Sequence, residues 1–103
     1  MPKPLTPTQR KFLRGLANTL DCEVRLGKGG ASAQAVGHVR SLLERRELIK
    51  IRLLPAAGKE RQALAEAIAS AAGAELAGVV GRVAVLYRPD PQLPPGQRIQ
   101  LPE

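Results

Sequence analysis

The residues with the most chemical potential in this sequence sit in one short run, Gly27-Lys28-Gly29-Gly30. Glycine has no side chain to hold a ligand away, and it adopts backbone angles closed to other residues. A lysine among three glycines therefore sets a full positive charge on a chain that an anion can approach closely. A helix starting just downstream would add unpaired N–H groups and the positive end of its dipole, which suits phosphate. The run reads as a clamp on a phosphate backbone, with RNA the expected nucleic acid.

Other reactive residue types are scarce. The chain has one cysteine, Cys22, and one histidine, His38. Neither has a partner at a spacing that makes a nucleophile–base pair, and together they cannot close a metal site without several carboxylates. The glycine run fails as a nucleotide-triphosphate loop: Cys22 stands where that motif needs glycine, and Gly29 where it needs Ser or Thr. It also fails as a dinucleotide fingerprint. Ser32 stands where a third residue, Gly or Ala, belongs, and no acid-ended second strand follows. No acidic dyad is legible. Binding without catalysis, cofactor, metal or small-molecule substrate is the expectation.

The elements that must hold the run can be read on either side of it. Asp21–Leu26 alternates as a strand, with Cys22, Val24 and Leu26 facing one way and Glu23 and Arg25 the other. Ser32 caps a helix running to Arg46, with Val36, Val39 and Leu43 as its apolar stripe. Arg45 and Arg46 fall in its last turn, where they suit the dipole. Upstream, Leu5–Leu20 reads as a helix with Thr6 as cap, Pro7 in first position and Gln9 completing a capping box. Phe12, Leu13, Leu16 and Leu20 form its apolar face. Arg10, Lys11 and Arg14 lie opposite, and with no acid among them they are expected to extend the RNA surface, with Arg25 as a further contact.

Downstream, Glu47–Leu54 reads as a strand with Ile49, Ile51 and Leu53 on one face and Lys50 and Arg52 on the other. A turn at Pro55–Gly58 leads to a helix over Lys59–Ala72, stopped by Gly73. Glu75–Val80 and Val83–Arg88 form a hairpin about Gly81-Arg82. From Pro89 the chain turns proline-rich, with Arg98–Leu101 a candidate short edge strand. The order α-β-α-β-α-β-β predicts an α+β fold. Three strands run parallel and the fourth antiparallel in one mixed sheet, with the helices on one face as a two-layer sandwich.

Charge supports a polyanionic partner. The net charge is +7 over 103 residues. Residues 1–52 hold 11 Lys/Arg and 4 Asp/Glu, and residues 53–103 hold 5 of each, so the whole excess shares a half with the glycine run. Clustering of this kind marks a nucleic-acid footprint. Phe12 and Tyr87 are the only aromatics, too few for a base-stacking platform. A single cysteine fits a reducing compartment. The absence of a secretory segment or a long apolar run points to a cytoplasmic protein without a membrane span.

Taken in order, these segments resemble the CRM domain (chloroplast RNA splicing and ribosome maturation), in its stand-alone bacterial YhbY-like form. Leu5-Thr6-Pro7-Thr8-Gln9-Arg10-Lys11-Phe12-Leu13-Arg14 is similar to the family's opening helix, and Val24-Arg25-Leu26-Gly27-Lys28-Gly29-Gly30 to its G-x-x-G loop. Glu47-Leu48-Ile49-Lys50-Ile51 resembles its second strand, and Val80-Gly81-Arg82-Val83-Ala84-Val85-Leu86-Tyr87-Arg88-Pro89 its terminal hairpin. The resemblance implies one domain over residues 5–88 with a tail over 89–103. It implies a fold like the C-terminal domain of translation initiation factor 3, with the fourth strand inserted between the second and third. It further implies a ribosome assembly factor that binds precursor 23S ribosomal RNA in pre-50S particles, as a monomer, through Gly27, Lys28, Gly29 and Gly30. Gly29 departs from the polar residue expected at the loop's third position. The alternative reading is an adaptor that docks on ribosomal proteins.

Overall fold

The computed structural model describes residues 5–55, 60–90, 92–94, 96 and 98–102. The expected Pro55–Gly58 turn lies partly outside these residues, and Lys59, Pro91 and Pro95 lie wholly outside. The elements are α1 (Pro7–Ala17), β1 (Cys22–Leu26), α2 (Ala33–Leu43), β2 (Leu48–Leu53), α3 (Arg61–Ala72), β3 (Glu75–Val80) and β4 (Val83–Tyr87). This is the predicted order. Among the described residues, no helix is long and apolar enough to cross a membrane.

Local chemistry sets the boundaries. At α1 the capping box forms in full: Gln9 N–H donates to the Thr6 hydroxyl, and Thr6 N–H donates to the Gln9 side-chain carbonyl, each at 3.1 Å. Such a cap is worth about 1 kcal/mol. Ser32 caps α2 by accepting from Ala35 N–H at 3.2 Å. α2 ends earlier than expected, at Leu43, so Arg45 and Arg46 lie beyond it. Arg46 pairs with Glu23 of β1, which replaces the dipole contact expected for it.

The sheet order is β1-β2-β4-β3. β1 and β2 are parallel, and β4 runs antiparallel to both β2 and β3, so three strands share one direction. The late strand β4 is thus inserted between β2 and β3, as the resemblance implied.

The expectation of helices on one face needs correction. α2 and α3 cover the face that presents Ile49, Ile51, Leu53, Ala84 and Leu86. α1 covers the other, against Leu48, Ala77, Val85 and Tyr87. The reason is legible in β4: Val83–Tyr87 is apolar at every position, as strands buried on both faces are. Lys50 and Arg52 suggested an open polar face, but Lys50 is half-buried and only the end of the sheet that carries Arg52 stays open.

α1 also turns differently from its expected stripe. Leu13 and Ala17 are buried, whereas Phe12 and Leu16 remain 38% and 39% exposed. The small Ala17 side chain lets the helix approach the sheet closely. That rotation brings Arg14 toward the sheet, not away from it.

The tail is folded back onto the α1 side. Ile99 and Leu101 pack against the second core cluster, and the Gln9 side-chain amide donates to Pro102 O at 3.0 Å. Glu47, only 3% exposed, accepts from Asp90 N–H at 2.7 Å and from Ile99 N–H at 2.6 Å. Arg98–Leu101 forms no strand, so this carboxylate takes the place of sheet pairing in holding it.

Candidate nucleic-acid interface

The glycine run lies where sequence placed it, between the end of β1 and the start of α2. Its turn closes on itself: Gly29 N–H and Gly30 N–H both donate to Gly27 O, at 3.1 and 3.0 Å. These two amides were expected to face phosphate, but they are occupied in the turn. Among the described residues, the amides of Lys28 and Ala31 and the first two amides of α2, those of Ala33 and Gln34, have no protein acceptor.

The three glycines do different jobs. Gly30 has φ 54°, a left-handed conformation that disfavours side chains, and an added Cβ would lie 3.3 Å from Leu64 Cδ1. A Cβ on Gly27 would make only ordinary contact with Leu54, at 3.7 Å. A Cβ on Gly29 would meet nothing within 4 Å. Gly30 therefore makes the turn, and Gly29 presents bare backbone to the outside.

The loop opens a groove of about 390 Å³ between β1 and α2. Glu23, Arg25, Lys28, Gln34 and His38 line it beside the glycine backbone. β1 is an edge strand, so its outer backbone groups border the groove without a neighbouring strand. Lys28 is exposed at the rim. Gln34 and His38, one helical turn apart, were not singled out as contacts. His38 was noted only for lacking a partner in the sequence, and amphipathic periodicity cannot show which strand edge a helix faces.

The basic face expected on α1 does not join this groove. None of Arg10, Lys11 and Arg14 lines it. Arg10 donates to Leu5 O at 2.8 Å. Arg14 donates to Ala77 O at 2.9 Å, and its stem lies directly over Gly78, where an added Cβ would come within 2.8 Å of Arg14 Cδ. Both arginines are half-buried: Arg14 ties α1 to β3, and Arg10 holds the segment that leads into the helix. Lys11 alone of the three is exposed.

Cys22 departs from its expected alternation. The pairing shifts between Cys22 and Val24, so Cys22 sits opposite Lys50 and is only half-buried. Among the described residues, no three His, Cys, Asp or Glu side chains gather as a metal-binding group.

Comparison with known proteins is consistent across three kinds of match. The model of the CRS1 / YhbY (CRM) domain matches residues 5–88. The Bacillus subtilis (strain 168) protein named "Probable RNA-binding protein YqeI" is 32% identical over 98 residues, covering 95% of this chain and 99% of that protein. A Haemophilus influenzae protein named "RNA-binding protein" is 33% identical over 98 residues, covering 95% of each. The solution structure of SAV1595 from Staphylococcus aureus aligns with a TM-score of 0.80 at 35% identity, covering 95% of this chain and 99% of that one.

Proposed function

Because the chain belongs to the CRS1 / YhbY (CRM) domain family, we propose that it is an RNA-binding protein whose Gly27–Gly30 loop and Lys28 grip a phosphate backbone. The observation that carries this reading is the exposed Lys28 beside glycine backbone in the lining of one groove. An ammonium there attracts phosphate at long range, and the bare Gly29 backbone lets the strand close in. The names of the two relatives support the class of ligand.

The finer reading is an assembly factor of the large ribosomal subunit, acting as a cytoplasmic monomer on precursor 23S ribosomal RNA in pre-50S particles. Few aromatics favour recognition of folded RNA by backbone and shape over stacked single-strand bases. Lys11 extends the basic surface on the far side of the sheet, while Arg10 and Arg14 act in the fold. The second reading, docking on a ribosomal protein, has the exposed flank of Phe12 and Leu16 in its favour.

Recovery of the tagged protein from cells, with sequencing of the RNA that accompanies it, tests this. Enrichment of large-subunit precursor RNA, with association with ribosomal particles lost on RNase treatment, is the expected result. Association that survives RNase would favour the docking reading.

A further inference from the structure

The loop and its groove leave one charged region of the molecule without a role. β1 and β2 close on the same pattern, Val24-Arg25-Leu26 and Ile51-Arg52-Leu53. The strands are parallel and in register over it, with Val24 opposite Ile51, Arg25 opposite Arg52 and Leu26 opposite Leu53. The four apolar residues are buried in the cluster beneath α2 and α3. The two arginines therefore rise from the opposite face, on strands about 4.8 Å apart. Both are exposed. The next row inward is covered, since Val85 is buried and Arg14 lies over its partner Gly78.

Like charges placed directly opposite each other on neighbouring strands oppose folding. A carboxylate nearby would offset the repulsion, yet the one ion pair among the described residues is Arg46 with Glu23. Two exposed arginines at directly opposed positions, neither in an ion pair among the described residues, offer guanidinium groups that suit a phosphate. Arg25 stands three residues before Lys28, so the two cations lie within roughly 10 Å along an extended chain. Arg25 also borders the groove, which joins the two surfaces around the β1 edge.

We propose that Arg25 and Arg52 form a second phosphate-binding station on the open face of the sheet, onto which an RNA strand passes from Lys28 around the end of β1. The inference rests on the RNA-binding reading above and adds a second surface to it. RNA then touches both faces of the edge strand, and the arginine pair, unfavourable in the free protein, is relieved when a phosphate sits between the two.

The test compares wild type with Arg25→Gln, Arg52→Gln, the double variant and Arg25→Lys/Arg52→Lys, with Lys28→Ala as a control for the loop. Binding to a large-subunit ribosomal RNA fragment is followed across a salt series, and melting is followed without RNA. The double Gln variant is expected to lose roughly tenfold or more in affinity, as for a lost charge-assisted hydrogen bond. Its log–log salt slope should shrink by about 0.7 to 0.9 for each phosphate contact removed. It should melt no lower than wild type, and the Lys pair should keep the salt slope. Wild-type affinity and slope in the double Gln variant overturn the second station, as does clearly lowered melting, which would make the pair structural. If Lys28→Ala weakens binding while the arginine variants do not, the station fails and the RNA-binding reading stands. If wild type shows no salt-dependent binding, both fail.

Discussion

Gly29 and Gly30 are neighbours in one motif, but the structure gives them separate tests. Gly30→Ala places a side chain at φ 54° and against Leu64, so it should cost about 1–2 kcal/mol of stability, read by chemical denaturation. Gly29→Ala has open space for its methyl and should leave the denaturation midpoint unchanged. It should still weaken RNA binding severalfold, because the methyl stands where a strand would meet bare backbone. Tyr87 offers a further residue-scale prediction. Burial raises its pKa above 10.0, nearby Glu47 raises it further, and Arg98 partly opposes the rise. Above pH 10 the unfolded chain releases the phenolic proton while the folded chain keeps it. Stability is therefore full below that pH and is lost as pH rises through the folded pKa. Tyr87 is the only tyrosine and there is no tryptophan, so ultraviolet titration reads it directly. The midpoint should lie above 10.0 and return toward the ordinary value in denaturant. At this scale the sequence exposed the glycine run and its lysine. It could not show that the Gly29 and Gly30 amides turn inward, because that follows from how the loop closes on Gly27 O.

At the scale of elements, the capped ends of α1 and α2 and all four strands were legible, and the place of the fourth strand was implied by the family resemblance. Thr6, Gln9 and Ser32 act on backbone groups a few residues away, so their effect needs no knowledge of the fold. The side of the sheet that α1 occupies is not local. It follows from the need to cover Val85 and Tyr87 on one face while Ala84 and Leu86 are covered on the other. That misplacement carried Arg10 and Arg14 into the expected RNA surface. Glu47 was equally hidden, since its partners Asp90 and Ile99 lie far along the chain. Glu47→Gln keeps the shape but supplies one acceptor oxygen for two half-buried N–H donors. It should cost roughly 1–3 kcal/mol. Limited proteolysis should then cut the tail sooner than in wild type. Gly37, exposed in α2 with free space around its Cβ position, gives the opposite sign: Gly37→Ala should add roughly 0.5–1 kcal/mol to stability.

Over the whole molecule, part of the basic excess of residues 1–52 gathers at one end of the sheet. β1 and β2 are paired, the loop leaves β1, and Arg25, Lys28 and Arg52 share one end of the sheet. Arg82, at the hairpin turn, bonds through its carbonyl to Leu53 N–H at 2.6 Å and so stands at that same end. Sequence counting found the asymmetry but not its focus, because the register of two strands set it. If four such cations meet phosphates, the salt slope for a single strand should be about −3. The central claim is that Lys28 on its glycine loop grips RNA through phosphate. Affinity for a large-subunit ribosomal RNA fragment, measured across a salt series for wild type and Lys28→Ala, tests it most directly. Weaker binding across all fragments, with a slope reduced by about 1, is the predicted result. Equal affinity and an equal slope would contradict it and leave the glycines as a turn between a strand and a helix.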